Sequence, residues 1–128
     1  MTKWHIDTGK KVTGGRIHQY RKKKKFQRGS IPLLTEVGKE KKFVKRSKGG
    51  AKKVKLAATE FVNATDSKSN KTKKVKILDV LENPASPNYV RRGILTKGTV
   101  VKTEFGKVRI TSRPSQVGVV SGVIVEGK

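Results

Sequence analysis

The chain has 128 residues and a formal net charge of +23, from 32 Lys/Arg against nine Asp/Glu, with 33% hydrophobic and only 5% aromatic residues. Such a chain fits one domain with one modest core. The absence of cysteine excludes disulfides and thiolate metal sites.

The charge is uneven. Residues 1–55 hold 19 Lys/Arg and three Asp/Glu, a net of +16, leaving +7 for residues 56–128. Self-repulsion on that scale opposes compaction and is relieved by a polyanion, which points to nucleic acid as the partner.

Residues 1–30 show no sustained apolar period of 2 or 3.6, and Gly9, Gly14, Gly15 and Gly29 interrupt any helix. They read as an extended basic tail. Pro32 disfavours a helical Ile31, so the body is expected to start near residue 31 and span residues 31–128, with a first strand within residues 33–37. Phe43 and Val44 precede the turn-like Ser47, Lys48, Gly49 and Gly50, after which Val54, Leu56 and Ala58 alternate with Lys55, Ala57 and Thr59. Residues 65–70 form a polar turn, and beyond it Val75 and Ile77 alternate with Lys74 and Lys76. These two alternating runs are expected to pair as a long hairpin. Residues 78–82 suit one turn of helix, and residues 83–88, with Pro84 and Pro87, read as a rigid loop.

Four further β-rich runs cover residues 94–95, 99–105, 107–112 and 119–126, separated by Lys97-Gly98, by Gly106 and by the stretch Arg113-Pro114-Ser115-Gln116. Six to seven short strands with close turns point to an all-β fold, a small barrel or sandwich carrying the basic N-terminal tail. The longest apolar stretch, residues 117–125, is interrupted by Gly118, Ser121 and Gly122 and reads as a strand, and the N-terminus lacks the apolar run of a secretory signal. The expectation is a soluble, intracellular chain with no membrane partner.

Nucleic-acid contact is written most densely in Arg21, Lys22, Lys23, Lys24 and Lys25, with Arg28 downstream and Lys3, Lys10, Lys11 and Arg16 upstream. Adjacent cations repel in water but suit a phosphate backbone, so binding is expected to weaken steeply with salt. The bland alternatives are a solvated tail or an import patch. Gly14-Gly15 beside Arg16, and Gly49-Gly50 beside Arg46 and Lys48, combine cations with bare backbone that can approach a phosphate, although Gly49-Gly50 fits a hairpin turn equally well. Lys52 and Lys53 follow directly. Trp4, Tyr20 and Phe26 lie where there is little core to build, which suits stacking on unpaired bases, with Phe26 fitting equally a fold back onto the body. Phe43, Phe61 and Phe105 read instead as core or barrel-edge residues. Tyr89, Arg91, Arg92 and Arg113 offer a second RNA surface on loops of the body, against an exposed cation rim as the plainer reading.

His5, Asp7 and His18 match no metal-ligand spacing, and the surrounding cations disfavour a divalent ion, so the two histidines, His5 and His18, read as RNA-facing donors. The nine carboxylates form no recognisable acid–base pair and two histidines support no nucleophilic triad, which leaves neither an enzyme, a cofactor nor a small-molecule substrate to propose.

Thr13-Gly14-Gly15-Arg16, the cationic run 21–25, residues 46–50 and 72–77, Asn83-Pro84-Ala85, Asn88-Tyr89-Val90-Arg91-Arg92, residues 94–98 and Thr111-Ser112-Arg113-Pro114 together resemble one family. It is the archaeal and eukaryotic family of small-subunit ribosomal protein number eight, "S-eight-e". The resemblance covers nearly the whole chain, and the compact length is similar to the archaeal form, which lacks the long eukaryotic insertion. It implies a structural constituent of the small ribosomal subunit in the cytoplasm, with a β-barrel body, an N-terminal extension threaded into ribosomal RNA, and neighbouring small-subunit proteins as further partners. A free-standing architectural protein that coats nucleic acid is the alternative.

Overall fold

The computed structural model describes residues 3–7 and 9–125, apart from the Lys48 side chain. The chain divides into two units, Met1–Pro32 and Leu33–Lys128.

The first unit doubles back on itself, where the sequence suggested an extended arm. An antiparallel bridge joins Trp4 to Arg28 and a second joins Lys10 to Arg16. Around the outer bridge the His5 N–H donates to the Gln27 carbonyl at 2.7 Å and the Gly29 N–H to that of Lys3 at 2.7 Å. Around the inner one Ile17 donates to Gly9 at 3.0 Å and Lys11 to Gly15 at 2.7 Å. Main-chain pairing of this kind needs no apolar core, which is why a glycine-rich polycation can adopt it. Its one helical feature among the described residues is a 3-10 turn at Lys25–Gln27, where the Lys24 N–H donates to Gln27 Oε1 at 2.9 Å.

Among its described residues the second unit holds nine strands, two short α-helices and a 3-10 turn at Lys48–Gly50. A four-stranded sheet holds β1 (Thr35–Val37), β2 (Lys41–Arg46), β3 (Lys52–Thr59) and β6 (Ile94–Leu95), in the order β2-β3-β1-β6. Five strands, β4 (Phe61–Thr65), β5 (Thr72–Glu82), β7 (Val100–Thr103), β8 (Gly106–Ile110) and β9 (Ser121–Val125), close into a barrel. Closure comes from the parallel pairing of β4 with β9, Asn63 opposite Ser121. The body is thus all-β, a small barrel with a second sheet.

The alternation of β-branched residues decides the inside. Val62, Ala64, Val75, Ile77, Val101, Val108 and Ile110 alternate with exposed or half-buried neighbours and fill the core together with Leu56, Val80, Leu95 and Val120. Polar links fasten it. Thr35 Oγ1 donates to the Leu56 carbonyl at 2.8 Å. Buried Asn83 donates through Nδ2 to the Ile94 carbonyl and accepts at Oδ1 from the Ala85 N–H and the Thr96 hydroxyl, each at 3.0 Å.

Several sequence expectations change. The run around Val54 and Leu56 does not pair with that around Val75 and Ile77: β3 pairs with β2 and β1, while β5 pairs with β4 and β7. The short β4 intervenes and takes β5 as its hairpin partner, Thr65 opposite Thr72 across the polar turn. Residues 78–82 continue β5 as strand, because Asp79, Val80 and Glu82 pair with Lys102, Val101 and Val100 of β7. Helices appear at α1 (Pro87–Arg91) and α2 (Pro114–Val117), where loops were expected, each with a proline in its first turn, whose fixed φ is already helical. The runs at 94–95, 99–105, 107–112 and 119–126 correspond to β6 through β9, Glu126 lying outside the described residues.

Candidate nucleic-acid interface

The N-terminal unit presents a mixed face of aromatic rings and cations. The Arg21 guanidinium lies 5.0 Å from the Tyr20 ring centroid and 5.5 Å from that of Phe26, and both rings are largely solvent-exposed, at 88% and 75%. The Lys23 ammonium lies 5.7 Å from the ring of half-buried Trp4. Cation–π contacts hold such rings open to water without burying them. Lys3, Lys10, Lys11, Arg16, His18, Lys22, Lys24, Lys25 and Arg28 are all exposed. Gly14 and Gly15 are exposed too, but the Gly14 N–H is engaged by the Lys11 carbonyl at 2.9 Å and so does not point at a ligand. His5, Asp7 and His18 line one depression together with Arg21. No three His, Cys, Asp or Glu side chains among the described residues are grouped to hold a metal ion.

In the body, the β2–β3 hairpin gathers the cations. Its tip is the Gly49-Gly50 turn, with φ of 77° and 80°, a left-handed backbone that glycine takes without strain. Behind the tip, Arg46 stands opposite Lys52 and Lys45 opposite Lys53. An open groove beside them is lined by Lys45, Arg46, Lys52, Lys53 and Lys55 with Gln116 and Val117 of α2. The Lys48 side chain lies outside the described residues. Arg113 is exposed at the N-cap of α2, and α1 carries half-buried Tyr89 and exposed Arg91. Arg92 is exposed and its Nη2 lies 3.7 Å from Glu36, a solvated pair of little energetic weight. The site residues read from the sequence therefore fall into three body clusters and the N-terminal face.

Of the two readings given to Phe43, Phe61 and Phe105, core or edge, the core one does not hold: all are exposed on the body, and each has a lysine near its ring, Lys41 at 5.5 Å, Lys74 at 4.6 Å and Lys73 at 5.1 Å respectively. The core is filled by aliphatic side chains instead, chiefly Val, Ile, Leu and Ala. The signal available in the sequence was adjacency, since Lys41, Lys42 and Lys45 flank Phe43 and Glu104 and Lys107 flank the turn holding Phe105.

Comparison with known proteins gives a model of one family, ribosomal protein S8e, that matches residues 4–125. This chain belongs to that family. Among curated relatives, the small ribosomal subunit protein eS8 of Methanocorpusculum labreanum is 46% identical over 96% of this chain and 98% of its own length. That of Methanocella arvoryzae is likewise 46% identical, with the same coverage. The Nanoarchaeum equitans eS8 is 48% identical over 88% of this chain and 89% of its own. The S8e match takes in both units, so the basic N-terminal face and the barrel are parts of one family pattern. No helix among the described residues of this S8e chain is long and apolar enough to cross a membrane.

Proposed function

We propose that this chain is a structural constituent of the small ribosomal subunit, acting in the cytoplasmic ribosome, that cross-braces small-subunit rRNA through its N-terminal unit and the basic loops of its barrel. Membership of the S8e family carries this reading, because near-full-length relatives bear the name of a small-subunit protein. A structural role needs no catalytic group. Its partners are then the rRNA and the small-subunit proteins around it.

The charge distribution supports the division of labour. A polycationic first unit with exposed rings gains phosphate contacts and stacked bases, while the aliphatic barrel supplies a rigid anchor. The residues assigned to RNA are Lys3, Trp4, Lys10, Lys11, Gly14, Gly15, Arg16, His18, Tyr20, the run 21–25 and Arg28, with Arg46, Lys48, Lys52, Lys53, Tyr89, Arg91, Arg92 and Arg113 of the body.

Replacing Arg21, Lys22, Lys23, Lys24 and Lys25 by glutamine in the full chain tests the reading. Each phosphate contact contributes about 0.7–0.9 to the salt slope, so the slope for a folded small-subunit RNA fragment should fall by roughly 3.5–4.5 if all five contact phosphate. An unchanged slope refutes the role of the N-terminal unit. Equal affinity for duplex DNA at about 0.2 M salt would favour a free-standing nucleic-acid coat instead.

A further inference from the structure

One end of the barrel is neither closed by the core nor used by the basic clusters described above. There the ends of β4 and β9, the start of β5 and the β7–β8 turn surround a cavity of about 160 Å³. Its floor is apolar, from buried Ala64 and Val75 and half-buried Ile124. Phe105 forms a wall and stays 55% exposed.

Phe105 occupies the two-residue turn between Thr103 and Gly106, a place where small polar residues and glycine normally satisfy the backbone. Nothing in the turn itself calls for an aromatic ring. Lys73 Nζ lies over that ring, 5.1 Å from its centroid, and Lys71 shares the rim. Asp66 is the third rim residue, and its carboxylate is held in place: Oδ1 accepts from the Lys68 N–H at 3.0 Å and Oδ2 from the Ser69 hydroxyl at 2.8 Å. These hydrogen bonds, the Lys68 one foremost, keep its carboxyl below the usual aspartate range, so it is an anion and an acceptor at neutral pH.

An apolar floor, an aromatic face, two ammonium groups and one fixed acceptor make a combined demand on a ligand. We propose that this barrel end binds a single unpaired nucleotide of RNA. Its base stacks on Phe105 above Ala64 and Val75, an adjoining phosphate meets Lys71 and Lys73, and an N–H of the base's pairing edge donates to Asp66. A duplex is excluded on geometry, since paired bases expose edges in grooves and keep their faces stacked. A chain of +23 charge with two rim lysines selects a polyanion over a peptide. The inference rests on the RNA-binding reading above and extends it to the kind of RNA element that the barrel takes.

The test uses the full chain, with a nine-nucleotide single-stranded RNA of mixed sequence and a duplex of the same length as probes. Side-chain NMR signals of Ala64, Val75, Ile124 and Phe105 should shift with the single strand and stay still with the duplex. Phe105→Leu keeps the apolar wall and removes the aromatic face, so affinity for the strand should fall about tenfold, within the range for one lost base stack, while Phe105→Tyr retains it. Unmoved signals at saturation, equal shifts with the duplex, or unchanged affinity of Phe105→Leu overturn the proposal. So does a crosslink from position 105 to another protein instead of RNA in the assembled subunit. Strand binding that survives through the N-terminal unit in these outcomes leaves the rRNA reading standing, whereas failure of the unaltered chain to bind either RNA removes both.

Discussion

Arg46 and Lys52 face each other directly on the rung of the β2–β3 ladder next to the hairpin tip, and Lys45 faces Lys53 one rung behind. Like charges directly opposed across a sheet cost stability, by a few tenths to about 1 kcal/mol per pair. The free protein carries this cost, which a phosphate bound there would remove. Lys52→Glu should therefore raise the thermal midpoint of the free chain measured at low salt, the gain shrinking as salt screens the pair. The same substitution should weaken RNA binding and lower its salt slope by about 1.

Asn83 joins three segments, with the Ile94 carbonyl, the Ala85 N–H and the Thr96 hydroxyl as partners at one buried side chain. Asn83→Ala leaves these groups without it. The expected loss is about 2–3 kcal/mol in a denaturant titration, the cost of stranding buried polar groups. Asn83→Asp should lose comparably, because the Nδ2 donor to Ile94 becomes an acceptor facing a carbonyl.

Gly118 ends α2 at φ 83°, and a Cβ built there would lie 2.8 Å from Val54 Cγ1. Both the left-handed backbone and the contact oppose a side chain. Gly118→Ala should cost about 1–2 kcal/mol for the backbone alone, with the clash added. In a double-mutant cycle, Val54→Ala should relieve the Cγ1 contact, leaving the backbone cost and the tight 3.1 Å approach to the Val54 Cβ.

Asp66 titrates below the ordinary aspartate range because the Lys68 N–H and then the Ser69 hydroxyl favour its anion. A folded-state value below the unfolded one means that the stabilisation is present above the unfolded value and is lost as pH falls through the folded one. An NMR pH titration should find the Asp66 midpoint depressed. Ser69→Ala should move it upward while leaving the Lys68 contribution in place.

Strand-forming stretches were legible in the sequence wherever glycine or proline bounded a β-branched run, as at β6 through β9 and at the turn between Thr65 and Thr72. Pairing partners were not. The alternation of Val54 and Leu56 matches that of Val75 and Ile77, but periodicity states which face is buried, not which strand lies beside which. Phe61-Val62-Asn63-Ala64-Thr65 escaped notice because it is short and holds only two core residues, and missing it misassigned the hairpin. The basic candidates were legible from composition. For Phe43, Phe61 and Phe105 the sequence left core and edge both open, since hydrophobicity alone cannot tell a ring that fills a core from one left on the surface.

The four-stranded sheet ends at β2, whose outer edge has no partner strand among the described residues, while the barrel is closed. Four of the six residues of β2 are lysine or arginine. An open ladder invites a second copy to zip on, and rows of cations are what proteins use to forbid that. Lys41, Lys42, Lys45 and Arg46 form such a row, suited to keeping newly made copies from polymerising edge to edge.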